Sequence, residues 1–348
     1  MAKQIDRQLN RATLQEVATR AGVSMTTASL VLAGKATHRR ISEAAHTKVR
    51  KAAEELNYAP NLLVRSLRRG RTNIVSFYNT FRKRQSQDLY VDKLSTAVEL
   101  AGGAHGYDVL MHCNFDRSLQ ETYQFLNGGL ADGLLIFAPT EGDPLVEHLR
   151  KSNLPVVLLN HRDPVGMFPS VADDCVAGME MVANALLDLG HRRIAALTRE
   201  APDVRDSHRR ITLLRHFLGL RDVTIPDDWI IDFATGDIDR LAALLQQPDP
   251  PTAIFCWHDR TAYYALEACE KLHVSVPDQL SIVGYDGLRW PAATSHVAAS
   301  VKVDLELLAN RGLRLLDLYI QGYEGPLIEE ILPVTFCPGS TLAPPCNP

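Results

Sequence analysis

Leu14, Val17, Ala18 and Ala21 recur at the i, i+3, i+4, i+7 spacing that lines one face of a helix. Gly22 follows them, the residue type that ends a helix in the left-handed conformation without steric cost. Val23 is placed to plug a tight turn. Ser24 is placed to cap a second helix over 25–33, by accepting a hydrogen bond from a free backbone N–H of its first turn. Helix, glycine turn and helix make the helix-turn-helix pattern. Ala28, Val31 and Leu32 face inward, which leaves Met25, Thr26, Ser29 and Leu30 on or beside the outer face near the start of the second helix. A third helix is marked by Ser42 as its cap and by Ala45, Val49, Ala52, Ala53 and Leu56 as its buried stripe, and it closes a three-helix core. Pro60 and Asn61 then precede 62–69, a segment too short to be a stable helix alone in water but rich in Arg65, Arg68 and Arg69. Such a segment can fold on binding.

From 74 onward the pattern changes. Short apolar runs at 74–78, 107–112, 133–137, 156–159, 194–197, 253–256 and 281–284 alternate with helical patterns at 88–105, 118–126, 144–151, 175–189, 209–220, 238–246 and 259–272. This alternation predicts an α/β fold of doubly wound parallel sheets, with too many units for one small sheet. Irregular stretches at 161–171 and 297–304, the second ahead of a helix over 305–320, are candidate crossovers between two similar lobes. The expected organisation is a flexible lead-in over 1–12, an all-α helix-turn-helix head over 13–59, a hinge and linker over 60–71, a body over 72–340 and a tail over 341–348. Within the body the first lobe takes 72–165 and 302–325, and the second takes 166–301 and 326–340.

Charge sharpens the division. The chain of 348 residues has a net charge of -4, yet residues 1–71 hold 14 Lys/Arg against 5 Asp/Glu. Only the head is built for phosphate, which points to double-stranded DNA bound with steep salt dependence. Apolar residues make up 46% of the chain, no run approaches the ~18 apolar residues of a membrane span, and the N-terminus has no apolar leader, so a cytoplasmic protein without a membrane partner is expected. Cys113, Cys175, Cys256, Cys269, Cys337 and Cys346 have no metal-type spacing and are expected as free thiols, with no metal site. No phosphate loop, nucleophile elbow or zinc-protease motif occurs, and Asp173 and Asp174, adjacent at a helix start, diverge by about 100° rather than forming a catalytic pair. Neither an enzyme nor a cofactor is expected.

The motifs T-L-x-x-V-A-x-x-A-G-V-S, E-L-x-Y-x-P-N and R-S-L-R-x-G-R-T, beginning at Thr13, resemble the lactose/galactose repressor family of bacterial transcription factors, and the likeness runs almost to the C-terminus. The resemblance implies a body of the periplasmic sugar-binding type behind the DNA-binding head. It implies a homodimer that sets two recognition helices in successive major grooves of a near-palindromic operator, and a hinge helix after Asn61 in which Leu67 wedges into the minor groove. The DNA-contacting set is then Thr13, Ser24, Met25, Thr26, Thr27, Ser29, Leu30, Asn61, Val64 and Leu67. Leu30 stands at a base-reading position that is polar in the lactose repressor, Val64 where a small alanine is usual, and 35–40 is longer than in the shortest members, so no operator sequence carries over. The Pro-rich tail has no leucine heptad, which argues for a dimer rather than a coiled-coil tetramer.

In open α/β sheets ligands bind beyond the carboxyl ends of the strands, so a cleft between two such sheets is the expected pocket. Asp286, after S-I-V-G-Y, matches the family's effector-binding aspartate, and Arg210, or its neighbour Arg209, matches the arginine that clamps the effector. Trp257 and His258 follow the strand at 253–256, and Asn79, Thr80 and Phe81 follow the first strand. Phe81 is equally able to pack under its loop, and Trp257 and His258 equally able to serve the core. Asn160 and Asp174 complete the candidates. The family implies a small-molecule effector, here a sugar or sugar derivative, with a corepressing purine or other metabolite as the second reading. Cytoplasmic in a bacterium, the DNA-bound protein would sit on the nucleoid.

Overall fold

The computed structural model describes residues 12–34, 41–60, 66, 70–80, 88–114, 116–140, 142–199, 205–233 and 237–346. Contacts divide the chain at Thr72 into a head and a body. The expected lead-in, the 35–40 segment, Phe81 and the hinge residues Asn61, Val64 and Leu67 lie outside the described residues.

The head holds α1 (Leu14–Ala21), α2 (Met25–Leu32) and α3 (Glu43–Glu55). Their apolar stripes meet in one small core of Val17, Ala18, Ala21, Ala28, Val31, Val49, Ala52 and Ala53, with Leu14, Val23, Leu32 and Leu56 packed against it. Every expected inward position is there except Ala45, which is half-buried. Gly22 takes φ 65° as the cap that ends α1, and its N–H reaches the carbonyls of Ala18 and Thr19. A side chain at that φ would be strained, which fixes glycine between the two helices.

The body holds two six-stranded sheets. The first runs β11-β5-β4-β3-β1-β2, with β1 (Ile74–Asn79), β2 (Asp108–Met111), β3 (Gly133–Phe137), β4 (Val156–Leu159), β5 (Ser170–Asp173) and β11 (Glu329–Leu332). The second runs β12-β10-β9-β8-β6-β7, with β6 (Ile194–Thr198), β7 (Ile230–Asp232), β8 (Ala253–Cys256), β9 (Ser281–Asp286), β10 (Ala299–Lys302) and β12 (Thr335–Cys337). All pairs are parallel except β10 with β12. Apart from the last strand, each sheet repeats one doubly wound order, in which the connection reverses direction between β1 and β3 and again between β6 and β8.

The strands read as continuous apolar runs because helices cover both faces. Leu135, Phe137, Val157 and Leu159 face the side packed by α4 (Leu89–Ala104). Leu134, Ile136, Val156 and Leu158 face α5 (Leu119–Leu126) and α6 (Pro144–Leu149). In the second lobe α7 (Cys175–Asp188), α8 (Arg205–Gly219), α9 (Ile238–Leu245) and α10 (Asp259–Lys271) play the same part. The last helix, α11 (Leu305–Ile320), returns to the first lobe and packs on α4, β3, β4 and β5. A Cβ on Gly312 would come within 2.6 Å of the Leu159 side chain, so glycine lets α11 lie close on the sheet. Among the described residues no helix is long and apolar enough to cross a membrane, and all six cysteines are free.

The lobe boundaries differ from those expected. Ser170–Asp173 and Glu329–Leu332 belong to the first sheet, paired with each other and, through Leu158 and Leu159, with β4. The chain therefore leaves the first lobe only after Asp173, not at 166, and enters the second for the last time after Leu332, not at 326. Both strands are four residues long and carry no period of their own; pairing with a neighbour already in place makes them strands.

The stretch at 161–171 is not a crossover but a loop organised by Asp163, which is 4% exposed. Its carboxylate takes a two-pronged grip from Arg150, 2.7 Å on each side, and accepts the backbone N–H groups of Val165, Met167 and Phe168. Burial by itself would raise the Asp163 pKa; the Arg150 fork and the three N–H donors outweigh it and hold the group far below the ordinary carboxylate range. A carboxyl depressed on folding stabilises the protein above its unfolded pKa of about 3.9 and loses that contribution as pH falls below it. Asp163→Ala should lower stability at pH 7 by about 3–5 kcal/mol in urea unfolding, because it leaves Arg150 buried without its main partner. The variant should also show a shallower loss of stability than the parent below about pH 4.

Candidate effector cleft and nucleic-acid interface

In the head, capping decides which side chains are free. Thr13 forms a capping box with Glu16. The Ser24 hydroxyl accepts the Thr27 N–H at 3.1 Å and lies 2.8 Å from the Thr27 hydroxyl. These three oxygens hold helix ends. Met25, 49% exposed, and Thr26 are exposed at the start of α2, while Ser29 and Leu30 are half-buried one turn on.

In the body, the strand ends converge on Arg210. Its residue is 6% exposed, and both terminal nitrogens and one face of its guanidinium are met. Nη1 donates to the Trp257 carbonyl at 2.5 Å, Nη2 lies 3.4 Å from Asp286 Oδ1, and the plane sits 3.7 Å over the Tyr285 ring. The Tyr285 hydroxyl in turn donates to Asp173 at 2.8 Å. Arg209, the alternative clamp, is exposed, one residue round the helix and pointing away. The two arginines are thus resolved by the 100° step of α8.

Tyr90, at the start of α4, brings the first lobe to the same place. Burial pushes its hydroxyl pKa well up, and the charges of Asp173, Asp286 and Arg210 all act on it. Its hydroxyl accepts from the Asn160 amide at 2.6 Å, and its ring stacks on Phe137 at 5.7 Å. Asn160, Ala138 and Asp286 follow or end β4, β3 and β9 with φ of 52°, 45° and 112°. Strained backbone at successive strand ends is a common mark of ligand sites, and the Asp286 conformation is the least accessible of the three to an L residue.

The remaining candidates divide. The Trp257 indole stacks on His258 with centroids 3.7 Å apart. His258 Nδ1 accepts the Thr261 N–H at 3.1 Å and so caps α10. Burial and then the Arg260 charge hold His258 well below its usual pKa, so it is neutral. The Thr80 hydroxyl lies 2.7 Å from the Ala138 carbonyl, binding the end of β1 to that of β3. Asp174 caps α7 through the Ala177 N–H. Asn79 is 6% exposed and borders a cavity of about 480 Å³ between α4 and β2, with Phe77, Asp92, Ser95 and His112. A second cavity of about 480 Å³ lies by Arg162 and Glu329. Neither cavity is at the Arg210 cluster. Among the polar atoms of that region buried without a hydrogen-bond partner among the described residues are Trp257 Nε1 and Asn160 Oδ1. One is a donor and the other an acceptor, so a ligand with both functions can complete them.

Sequence reasoning missed Tyr90, Phe137, Tyr285 and Asp259 at this cluster, and read Asp173 only as part of a charge pair at a helix start. Asp259 is 1% exposed, accepts the Ser300 hydroxyl at 2.6 Å and the Leu288 N–H, and so anchors the turn after Asp286. Burial raises its pKa to about 7. Tyr285 and Asp259 each stand beside a residue already singled out, and adjacency was the available signal.

A helix-turn-helix head joined in one chain to a two-lobed body with a polar cleft at its strand ends defines a ligand-responsive, DNA-binding transcriptional regulator. The family described as "Bacterial regulatory proteins, lacI family" matches residues 13–61, and "Periplasmic binding protein-like domain" matches 183–342. The HTH-type transcriptional repressor PurR of Aliivibrio salmonicida (strain LFI1238) is 30% identical over 291 residues, 81% of this chain and 84% of the relative. The chain belongs to the lacI family of bacterial regulatory proteins. Its fold is also that of the lac repressor dimer bound to operator and the anti-inducer ONPF, with a TM-score of 0.80 at 22% identity over 96% of this chain and 100% of that one. The transcriptional regulator CelR–cellobiose complex gives a TM-score of 0.69 at 24% identity, over 95% and 100%. The protein is a regulator and not an enzyme.

Arg210→Lys should lower the stability of the body by about 1.5–3 kcal/mol in urea unfolding, since an ammonium cannot serve the Trp257 carbonyl, Asp286 and the Tyr285 ring together. Arg209→Lys should stay within about 0.5 kcal/mol of the parent.

Proposed function

We propose that this protein is a dimeric repressor that holds a near-palindromic operator and is controlled by a small, uncharged, hydroxyl-rich effector, a sugar or sugar derivative, bound between the lobes. The observation that carries the effector reading is the meeting of Tyr90 and Asn160 from the first lobe with Arg210 and Asp286 from the second. The Asp286 and Asp173 carboxylates offer acceptors that suit hydroxyl donors. The Trp257 indole N–H supplies a further donor, and the Tyr90 and Phe137 rings an apolar face. The cellobiose complex of a protein with the same fold is in keeping with this class of ligand. In this reading Arg210, Asp286, Asn160 and Trp257 contact the effector, His258 shapes its wall, and Thr80 and Asn79 support the strand end. A planar heteroaromatic metabolite such as a purine, acting as corepressor, is the second reading, favoured by the Tyr90 and Phe137 stack, whose planes lie 22° apart.

On DNA, Met25 and Thr26 read base edges, Ser29 and Leu30 approach them from the next turn, and Thr13, Ser24 and Thr27 fix the helix starts that face phosphate. Asn61, Val64 and Leu67 are assigned to a hinge at the operator centre by resemblance alone. The working place is the bacterial nucleoid, in the cytoplasm.

Selection of bound duplexes from a random pool should return a near-palindrome with a flexible central step, and affinity for it should fall steeply with salt. A winner with no symmetry would overturn the dimeric operator reading. Calorimetry against neutral sugars, sugar phosphates and purines should find binding by a neutral sugar that changes operator affinity. Binding by a purine alone would replace the first effector reading with the second. Leu67→Ala should weaken operator binding far more than binding to random DNA, because it removes a wedge and no charge, and equal losses on both would refute the wedge.

A further inference from the structure

Asp88 and Arg260 stand on different lobes. Asp88 caps α4 of the first lobe, its Oδ1 accepting the Val91 N–H at 3.3 Å. Its other oxygen, Oδ2, lies 3.1 Å from Nη2 of Arg260, the second residue of α10 in the second lobe. The Arg260 guanidinium is also held 4.7 Å from the centroid of Trp290, a residue 6% exposed and so part of the rigid second lobe. The side chains of the pair are 21% and 27% exposed. One lobe therefore presents a cation fixed on an indole face, and the other a carboxylate fixed by its duty at a helix end.

Neither group belongs to the chain of contacts around Arg210. Asp88 is two residues before Tyr90 and Arg260 two after His258, so the ion pair spans the cleft beside the effector-contacting groups. Opening the lobes would break it completely, whereas hydrogen bonds inside either lobe would survive. Its two ends are already ordered, the carboxylate by the cap and the guanidinium by the indole. The side-chain entropy that usually cancels a surface pair is thus largely spent before the lobes meet.

We infer that the Asp88–Arg260 pair is an interlobe latch that sets the fraction of molecules with a closed cleft, and through it the apparent affinity of the effector without touching it. A ligand that binds the closed form has an apparent dissociation constant divided by the closed fraction, so loss of the latch weakens binding by the same factor by which it reduces closure. For a part-exposed pair of this kind the factor is about twofold to tenfold. The effector arm rests on the cleft reading given above; the closure arm does not.

Asp88→Asn keeps an oxygen for the α4 cap and removes the charge. Arg260→Gln removes the charge on the other side, and Arg260→Lys retains it. The test is hydrogen exchange of the amides at 89–94 and 258–262 in the effector-free full chain. Exchange there should rise about twofold to tenfold in Asp88→Asn and in Arg260→Gln. It should rise no further in the double variant, and Arg260→Lys should restore much of the protection. Parental exchange in both single variants, or effects that simply add in the double variant, would overturn the latch, and so would equal losses in Arg260→Gln and Arg260→Lys. With the neutral sugar from the calorimetric screen as probe, its dissociation constant should rise by the factor seen in exchange. A coupled change in exchange without any sugar binding would leave the latch standing and remove the effector reading; sugar binding equally tight in parent and variants would remove the latch's control of affinity.

Discussion

A guanidinium almost wholly withdrawn from water needs partners for its charge, and in this body that demand falls on the ends of the second sheet. Arg210 takes the Trp257 carbonyl, the Asp286 carboxylate and the Tyr285 ring, three groups from two neighbouring strand ends. To reach it, Asp286 adopts φ 112°, and Asp259 beneath fastens the turn that follows through Ser300 and Leu288. The strain at Asp286 is thus held by a buried electrostatic network, which pre-positions the carboxylate before any ligand arrives.

The first lobe offers a different kind of surface to the same space. Its strand ends are capped by positive-φ residues, Ala138 and Asn160, and the groups it brings there are aromatic and amide rather than ionic. In the proposed reading the charged wall of one lobe orients a ligand and the softer wall of the other closes over it. A ligand that touches both walls binds one lobe relation better than another, and such differential affinity is the physical requirement for coupling to a distant DNA site. The two lobes also have unequal ties to each other. The chain crosses between the lobes after Asp173, Lys302 and Leu332, and the Asp88–Arg260 pair adds a non-covalent tie between them.

Much of this was legible in the chain. The head could be read nearly residue by residue, because its three helices are short, amphipathic and punctuated by Ser24, Gly22 and Ser42, whose conformational roles are local. Seven of the twelve described strands were legible as apolar runs, since a strand buried on both faces must be apolar throughout. The strands β5, β7, β10, β11 and β12 were not. Ser170–Asp173 and Glu329–Leu332 have mixed composition and become strands by joining an existing sheet, and missing them moved both lobe boundaries. Of the candidate site residues, Arg210 and Asp286 lie together, and that Arg210 rather than Arg209 is the buried one depended on which way α8 was turned. Tyr90 could not be found, because it reaches the cluster from another lobe and from 120 residues before its partner Arg210 in the chain.

The sequence by itself determined the class of the head, the alternating architecture of the body and the two charged groups of the second lobe. Each of these is written in local spacing, in turn chemistry or in a contiguous motif. Tertiary structure alone decided that Thr80 ties the end of β1 to that of β3, and that Tyr90 and Arg260 meet the opposite lobe. Those outcomes depend on which groups share a hydrogen-bond partner or a low-dielectric space, and proximity of that kind is a property of the packed chain rather than of residue order.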